Sequence, residues 1–180
     1  MRNTLPLTIL LLAISSFAAT DSQWMLQSST ISYSASHPLH HFDGVSRATR
    51  GKGECHNAVC QFLIAAPVKS FNSGDSNRDL HMLQVTRGGQ FPMVMVRTQM
   101  PESEIKPGTI HADLQVQFAG QTAEFKQIPF QVTEHGGDIE LTGTIPATLT
   151  DFKIPPPTLL TIPIKNEIPV HVDMMWSPGK

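Results

Sequence analysis

Apolar residues recur at every second position along most of this chain. In "IHADLQVQF", Ile110, Ala112, Leu114, Val116 and Phe118 fall on one side, and His111, Asp113, Gln115 and Gln117 on the other. "DIELTGTIPATL" repeats the alternation, with Ile139, Leu141, Ile145, Ala147 and Leu149 set against Glu140, Thr142, Thr144 and Thr148. Further rows run through Phe62, Ile64, Ala66 and Val68, through Ile128, Phe130 and Val132, and through Val170, Val172, Met174 and Trp176. A weaker row joins Ile31, Tyr33 and Ala35. A period of two belongs to an extended chain, whose successive side chains point to opposite faces. One apolar and one polar face per segment indicates antiparallel sheet with a dry side and a wet side, since parallel strands are covered on both faces.

The punctuation between rows supports this reading. "RGGQ" and "HGGD" each carry a glycine pair that tolerates the positive φ of a tight hairpin turn. "HGG" also occurs in oxyanion-hole loops, but the chain has no G-x-S-x-G nucleophile elbow to accompany it. The exception to β-structure is "SGDSNRDLHMLQVT", where Ser73, Asp75 or Ser76 can cap a short helix whose buried side would be Leu80, Leu83 and Met82. About eight strands and one helix predict an all-β fold, an antiparallel barrel, because closure removes the exposed edges an open sheet would leave.

Composition narrows the class. Of the 180 residues, 40% are hydrophobic and only 16% charged, the balance of a folded chain. A net charge of -2 with no basic cluster offers nucleic acid no electrostatic foothold. Arg2, the apolar run Leu5 to Ile14 and the small residues around Ser16-Phe17-Ala18 have the layout of a signal peptide, so Met1 to Ala18 is expected to be removed. That run is too short to span a bilayer, which takes roughly 20 residues. The remainder, 19–180, is the size of one domain, and its expected location is periplasmic or extracellular. Cys55 and Cys60, the two cysteines, stand in "ECHNAVC". In an oxidising compartment a disulfide is their default; a zinc site borrowing His56 would need further ligands and unoxidised thiolates.

Five pieces, in order, resemble the YceI-like family: "WMLQSSTISYSASH" ending at a histidine, "GVSRATRGKGE", "SNRDLHMLQVTRGGQFPMVMVRT" with an Arg-Asp-x-His helix and an aromatic-Pro strand, "LQVQFAGQTAEFKQIPFQV", and "LTDFKIPPPTLLTIPIKNEIPVHVDMMW". Together they cover nearly the whole chain after the signal peptide. Ala119-Gly120-Gln121-Thr122 departs from the family's more usual arginine-glycine-valine-threonine turn. The histidine cluster and the cysteine pair are not general family features. The resemblance implies a lipocalin-like barrel that binds polyisoprenoids or similar long apolar lipids, with an isoprenoid lipid or quinone as the bound molecule and no separate cofactor.

On that reading Ile31, Tyr33, Phe62, Ile64, Leu114, Val116, Phe118, Phe130, Leu141, Ile145, Val170 and Val172 line one apolar interior. Met82, Met93, Met95, Met100, Met174 and Met175 add flexible side chains suited to a greasy guest. The stretch "HPLHHFDG" is read as a connection at a barrel end, with His37, His40 and His41, joined by His81 of the helix, as a polar rim. A metal site of those histidines with Asp43 is the rival, disfavoured because Pro38 breaks helical spacing. No nucleophile–base pair or carboxylate pair stands out, so the chain reads as a binding protein rather than an enzyme. The alternative is a filled barrel, an interaction or stress-response module without lipid. The sequence is compatible with a homodimer.

Overall fold

The alternating rows become strands in the computed structural model, which describes residues 21–159 and 161–179. The expected signal peptide lies outside the described residues. In chain order the elements are β1 (Ser22–His37), β2 (His40–Ser46), β3 (Arg50–His56), β4 (Val59–Pro67), helix α1 (Ser76–Val85), β5 (Met93–Pro101), β6 (Gly108–Phe118), β7 (Gln121–His135), β8 (Asp138–Ile145), the short strands β9 (Thr158–Leu159) and β10 (Ile162–Pro163), and β11 (Val170–Pro178). Antiparallel neighbours follow the order β11-β8-β7-β6-β5-β4-β3-β1, and β1 returns to pair with β11. The result is a closed antiparallel barrel of eight strands with one helix. The long β1 serves two neighbours in turn: Ser22 to Met25 pair with β3, and Ile31 to His37 pair with β2. Thus β2 and β3 run one after the other along the same flank of β1.

Alternation aims one row of each strand inward, and a bulge keeps β7 in phase. Opposite Asp113 the register shifts, so that Ala112 pairs with Ile128 but Leu114 pairs with Phe125. Gln127 takes φ 54° there, and its N–H donates to Asp113 Oδ1 at 2.8 Å. The extra residue lets Phe125 and Ile128, three apart in sequence, both point inward. The hydrogen bond from the Gln127 N–H also holds the Asp113 carboxyl below its usual range, with Lys126 adding to the effect.

The barrel has two distinct ends. One is made by the start of β1, the β3–β4 hairpin, the β7–β8 hairpin and the end of β11; there Ser22 faces Cys55 and Trp176 faces Ile139. Cys55 and Cys60 are direct cross-strand partners joined by a disulfide, as the compartment argument expects. The other end gathers the β1–β2 turn, α1, the β6–β7 hairpin and the segment 146–169. That segment is tied to β1 through Lys165 N–H to Ser36 O at 2.8 Å and Ser34 N–H to Pro169 O at 3.0 Å.

Four local expectations need correction. "HPLHHFDG" is not a loop: only Pro38 and Leu39 form a turn, and His40 already begins β2. "RGGQ" is not a hairpin turn but the C-terminal stop of α1. Arg87 takes the left-handed conformation (φ 54°), and the Gly88 N–H reaches back to Leu83 O at 2.7 Å. A Cβ on Gly88 would lie 2.7 Å from Leu83 Cδ2, which explains glycine there. Leu80 does not belong to the buried side of α1; it is 56% exposed, and no residue of the helix is fully buried. Val68 lies beyond β4, in a single 3-10 turn, although it is still buried. Of the candidate caps for α1, Asp75 is the one used, accepting from the N–H groups of Asn77 and Arg78.

Candidate functional site

The inward rows do not meet at the barrel axis. Between them lies an apolar cavity of about 590 Å³. All twelve residues named above for the interior border it: Ile31 and Tyr33 on β1, Phe62 and Ile64 on β4, Leu114, Val116 and Phe118 on β6, Phe130 on β7, Leu141 and Ile145 on β8, Val170 and Val172 on β11. The barrel is therefore hollow, which removes the premise of the filled-barrel alternative. Of the six methionines, Met82, Met100 and Met174 border the cavity, whereas Met93, Met95 and Met175 do not.

Sequence reasoning passed over three parts of the wall. Val94, Val96 and Thr98 of β5 are lining residues, hidden in "MVMVRTQM" because Met93 and Met95 make the outer face apolar too. From α1 comes Val85, beside Met82, which was already expected to face a guest. Phe152, Ile164 and Ile168 come from the irregular stretch after β8, where no periodicity marks which side chains turn inward. Ala147 and Leu149, read as the end of the β8 row, also border the cavity but lie beyond that strand, which stops at Ile145.

Access is from one end. The exposed residues that border the cavity, His40, Asp75, Asn77, His81 and Thr158, sit on the β1–β2 hairpin, around α1 and on β9. At the far end the bordering side chains Met100, Ile139, Met174 and Trp176 are buried. The mouth carries most of the polarity. Arg78 donates from Nε to Ser73 Oγ (2.9 Å) and from Nη2 to Ser73 O (2.7 Å), while its guanidinium lies 4.6 Å from the centre of the Phe42 ring. Asp79 accepts from the Ser73 N–H at 3.0 Å, which knits this corner together. Beneath it, burial pushes the Tyr33 phenol up to about 12; the negative charge of Asp79 adds to the shift, Arg78 opposes it and Asp43 contributes the least. Tyr33 is therefore a neutral hydroxyl at the inner edge of the mouth.

Strand parity sorts the histidines. His37 and His40 are cross-strand partners on the inner face; their rings stack with centroids 6.2 Å apart, and both border the cavity. His41 and Asp43 are displaced from them by one or three positions along β2, so they point outward. His41 Nδ1 meets Ser36 Oγ at 3.0 Å, and Asp43 accepts from Ser34 Oγ. His41 is thus not a rim residue, because the turn is only two residues long and alternation resumes at once. The same parity splits the four donors of the rival metal site, with His37 and His40 on the inner face and His41 and Asp43 on the outer one. Among the described residues the one group of potential metal donors close together is Cys55, Cys60 and Glu102, and the disulfide consumes its sulfurs.

His37 is 4% exposed. Its Nδ1 accepts the Leu39 N–H at 3.2 Å, which leaves Nε2 to carry the proton of the neutral ring. Nε2 is buried with no hydrogen-bond partner among the described residues. His81, on α1, is exposed and borders the mouth.

This fold has counterparts among solved structures. A polyisoprenoid binding domain from Saccharophagus degradans, implicated in plant cell wall breakdown, matches with a TM-score of 0.66 at 13% identity, over 87% of this chain and 98% of that one. BcnA of Burkholderia cenocepacia matches with a TM-score of 0.65 at 14% identity, over 82% and 95%. The YceI protein of Campylobacter jejuni matches over 99% of this chain and 94% of its own, with a TM-score of 0.54 and 12% identity. The fold is that of the YceI proteins. No protein-family model matches the sequence, and no curated protein does. Within the YceI fold, the pieces that carried the resemblance are β1, the β2–β3 flank, α1 with β5, the β6–β7 hairpin, and the final segment with β11. At such low identity the likeness extends to the fold, while the ligand must be argued from the cavity.

Proposed function

We propose that this chain is an exported binding protein that carries or sequesters a long apolar lipid, such as a polyisoprenoid, an isoprenoid quinone or a fatty-acid-like chain, inside its barrel. The observation that carries this reading is the continuous apolar cavity of about 590 Å³, open at one end. A buried methylene contributes about 0.8 kcal/mol, so a tail needs no polar contact to bind once about ten are inside. If each carbon takes about the volume of a water molecule, about 30 Å³, the cavity holds on the order of twenty carbons. Tails up to that length fit wholly; longer polyprenyl chains would fold back or protrude. The polyisoprenoid binding of the Saccharophagus degradans domain supports the same ligand class.

Export is part of the proposal, and the Cys55–Cys60 disulfide supports it. Intact-mass measurement of exported protein should give a chain that begins near Ala19. Organic extraction of purified protein, followed by mass spectrometry, tests the ligand. The expected result is a long-chain lipid in near-stoichiometric amount, and a quinone would narrow the class to isoprenoids with a reactive head. Repeated recovery of folded protein with no lipid and no capacity to take one up would overturn the reading.

A further inference from the structure

Three of the aromatic residues on the cavity wall are paired across strands with glycine: Tyr33 with Gly44, Phe62 with Gly53 and Phe130 with Gly143. In each pair the ring lies over the bare backbone of its partner. A Cβ at Gly44 would stand 2.3 Å from Tyr33 Cε1, one at Gly53 2.5 Å from Phe62 Cε1, and one at Gly143 2.4 Å from Phe130 Cδ1. Trp176 repeats the arrangement over Gly51, where a Cβ would lie 2.7 Å from Cη2. All four rings border the cavity. None of these glycines has a positive φ, so their backbone would accept alanine and what they provide is space.

We infer that Gly44, Gly53 and Gly143 determine the bore of the barrel, and through it the length and girth of the tail the cavity accepts. An aromatic side chain on the inner face of an eight-stranded barrel that projects toward the axis takes up room there, and such a barrel either fills with side chains or keeps space for one small ligand. A missing Cβ on the facing strand opens a recess, and the ring folds back into it, shielding the glycine backbone. Restoring the Cβ closes the recess. The open volume beside each ring is then the cavity itself, so the ring swings inward and displaces tail. A glycine that only relieved crowding in a solid core would have packed side chains, not an open lumen, on the far side of the ring.

This inference rests on the lipid-carrying reading, and one experiment separates the two. Purified, delipidated wild-type protein is titrated with cis-parinaric acid, and saturated fatty acids of increasing chain length compete for the site. Wild type should show an optimum chain length. In Gly143→Ala and Gly53→Ala the optimum should move to shorter chains, with affinity for the longest competitors reduced at least about tenfold. Adding Phe130→Leu to Gly143→Ala should restore the longer optimum, a rescue that loss of stability alone would not give. Phe130→Leu by itself should shift the optimum to longer chains, which keeps the inference testable if an alanine variant fails to fold. Wild type that binds no fatty acid would overturn the lipid-carrying reading and the inference with it. Wild type that binds, with folded variants sharing its chain-length profile, would overturn the inference alone.

Discussion

The two ends of the barrel put similar side chains to opposite uses. At the closed end the Phe62 and Trp176 rings meet edge to face with centroids 5.3 Å apart, beside buried Met100 and Met174 and a fully buried disulfide. The hairpin above them turns tightly through Asn57 and Ala58, both at positive φ. At the mouth α1 buries none of its residues fully, Leu39 and Leu80 stand in solvent, and His37 keeps a buried donor without a partner among the described residues. Side chains that interlock at one end are spaced around an opening at the other. Local stability follows buried apolar contact, so opening motions should be concentrated in α1, which buries no residue fully, leaving the closed end to hold the barrel together. A container needs this division, because the part that admits a guest cannot also be the best-packed part.

The largest expected effect comes from breaking the closed end. Trp176→Ala removes the ring that packs on Phe62 and covers Gly51, and should destabilise the protein by about 3–5 kcal/mol. Leu80→Ala at the mouth, on a side chain that is 56% exposed, should cost less than about 0.5 kcal/mol. Chemical denaturation of the two variants measures the difference. Equal losses would refute the asymmetry. Next in size is the disulfide. Its ring is short, with five residues of separation, so chain entropy assigns it about 2 kcal/mol. Reduction or a Cys55→Ser/Cys60→Ser variant should lower the thermal midpoint by about 6 °C. Non-reducing peptide mapping should show the two cysteine peptides linked.

What the sequence disclosed divides along the same line. The rows ending in Met174 and Trp176, or running through Ile110, Ala112 and Leu114, sit in regular strands where period two alone assigns the face. The mouth is built from features that interrupt the period. A two-residue turn at Pro38-Leu39 inverts expectation for His41, and a helix stop stands where a glycine pair suggested a hairpin. The bulge at Gln127 was invisible as well, since a non-glycine residue at positive φ leaves no mark in composition. The cavity walls were legible because inwardness is a parity. The hollowness was not, since filled and empty barrels need the same apolar rows, and the difference lies in how the inward side chains pack against one another, which alternation does not encode.

A third, smaller effect sharpens the comparison through pH. The Tyr33 phenol, at the mouth, is pushed up to about 12 from an ordinary value of 10.0, chiefly by burial. The folded state therefore keeps this proton while the unfolded state releases it, so stability is complete below about pH 10 and falls as pH rises toward about 12. Fully realised the effect is about 3 kcal/mol, and partial access to solvent at the mouth reduces it to about 1 kcal/mol. Tyr33→Phe should flatten this part of the alkaline stability curve. An unchanged slope would mean that Tyr33 is hydrated in the folded protein.

The smallest effect is expected at His41, which differs from His37 in the face of the sheet it occupies. His41 points outward, with one solvent-exposed contact to Ser36 Oγ at 3.0 Å, and His41→Ala should change stability by less than about 0.5 kcal/mol. His37, four positions earlier, is 4% exposed, accepts the Leu39 N–H and stacks on His40. His37→Ala removes both contacts and leaves the turn amide without its acceptor, so it should cost about 1–3 kcal/mol. Only the second variant should also alter the binding of cis-parinaric acid, because only His37 borders the cavity. Zinc offers an independent check on the same parity. Protein prepared without chelators should hold no stoichiometric metal, since strand alternation puts His41 and Asp43 on the opposite face from His37 and His40. Equal effects of His37→Ala and His41→Ala on probe binding, or metal lost in the His41 variant, would mean that the β1–β2 register differs from the one described.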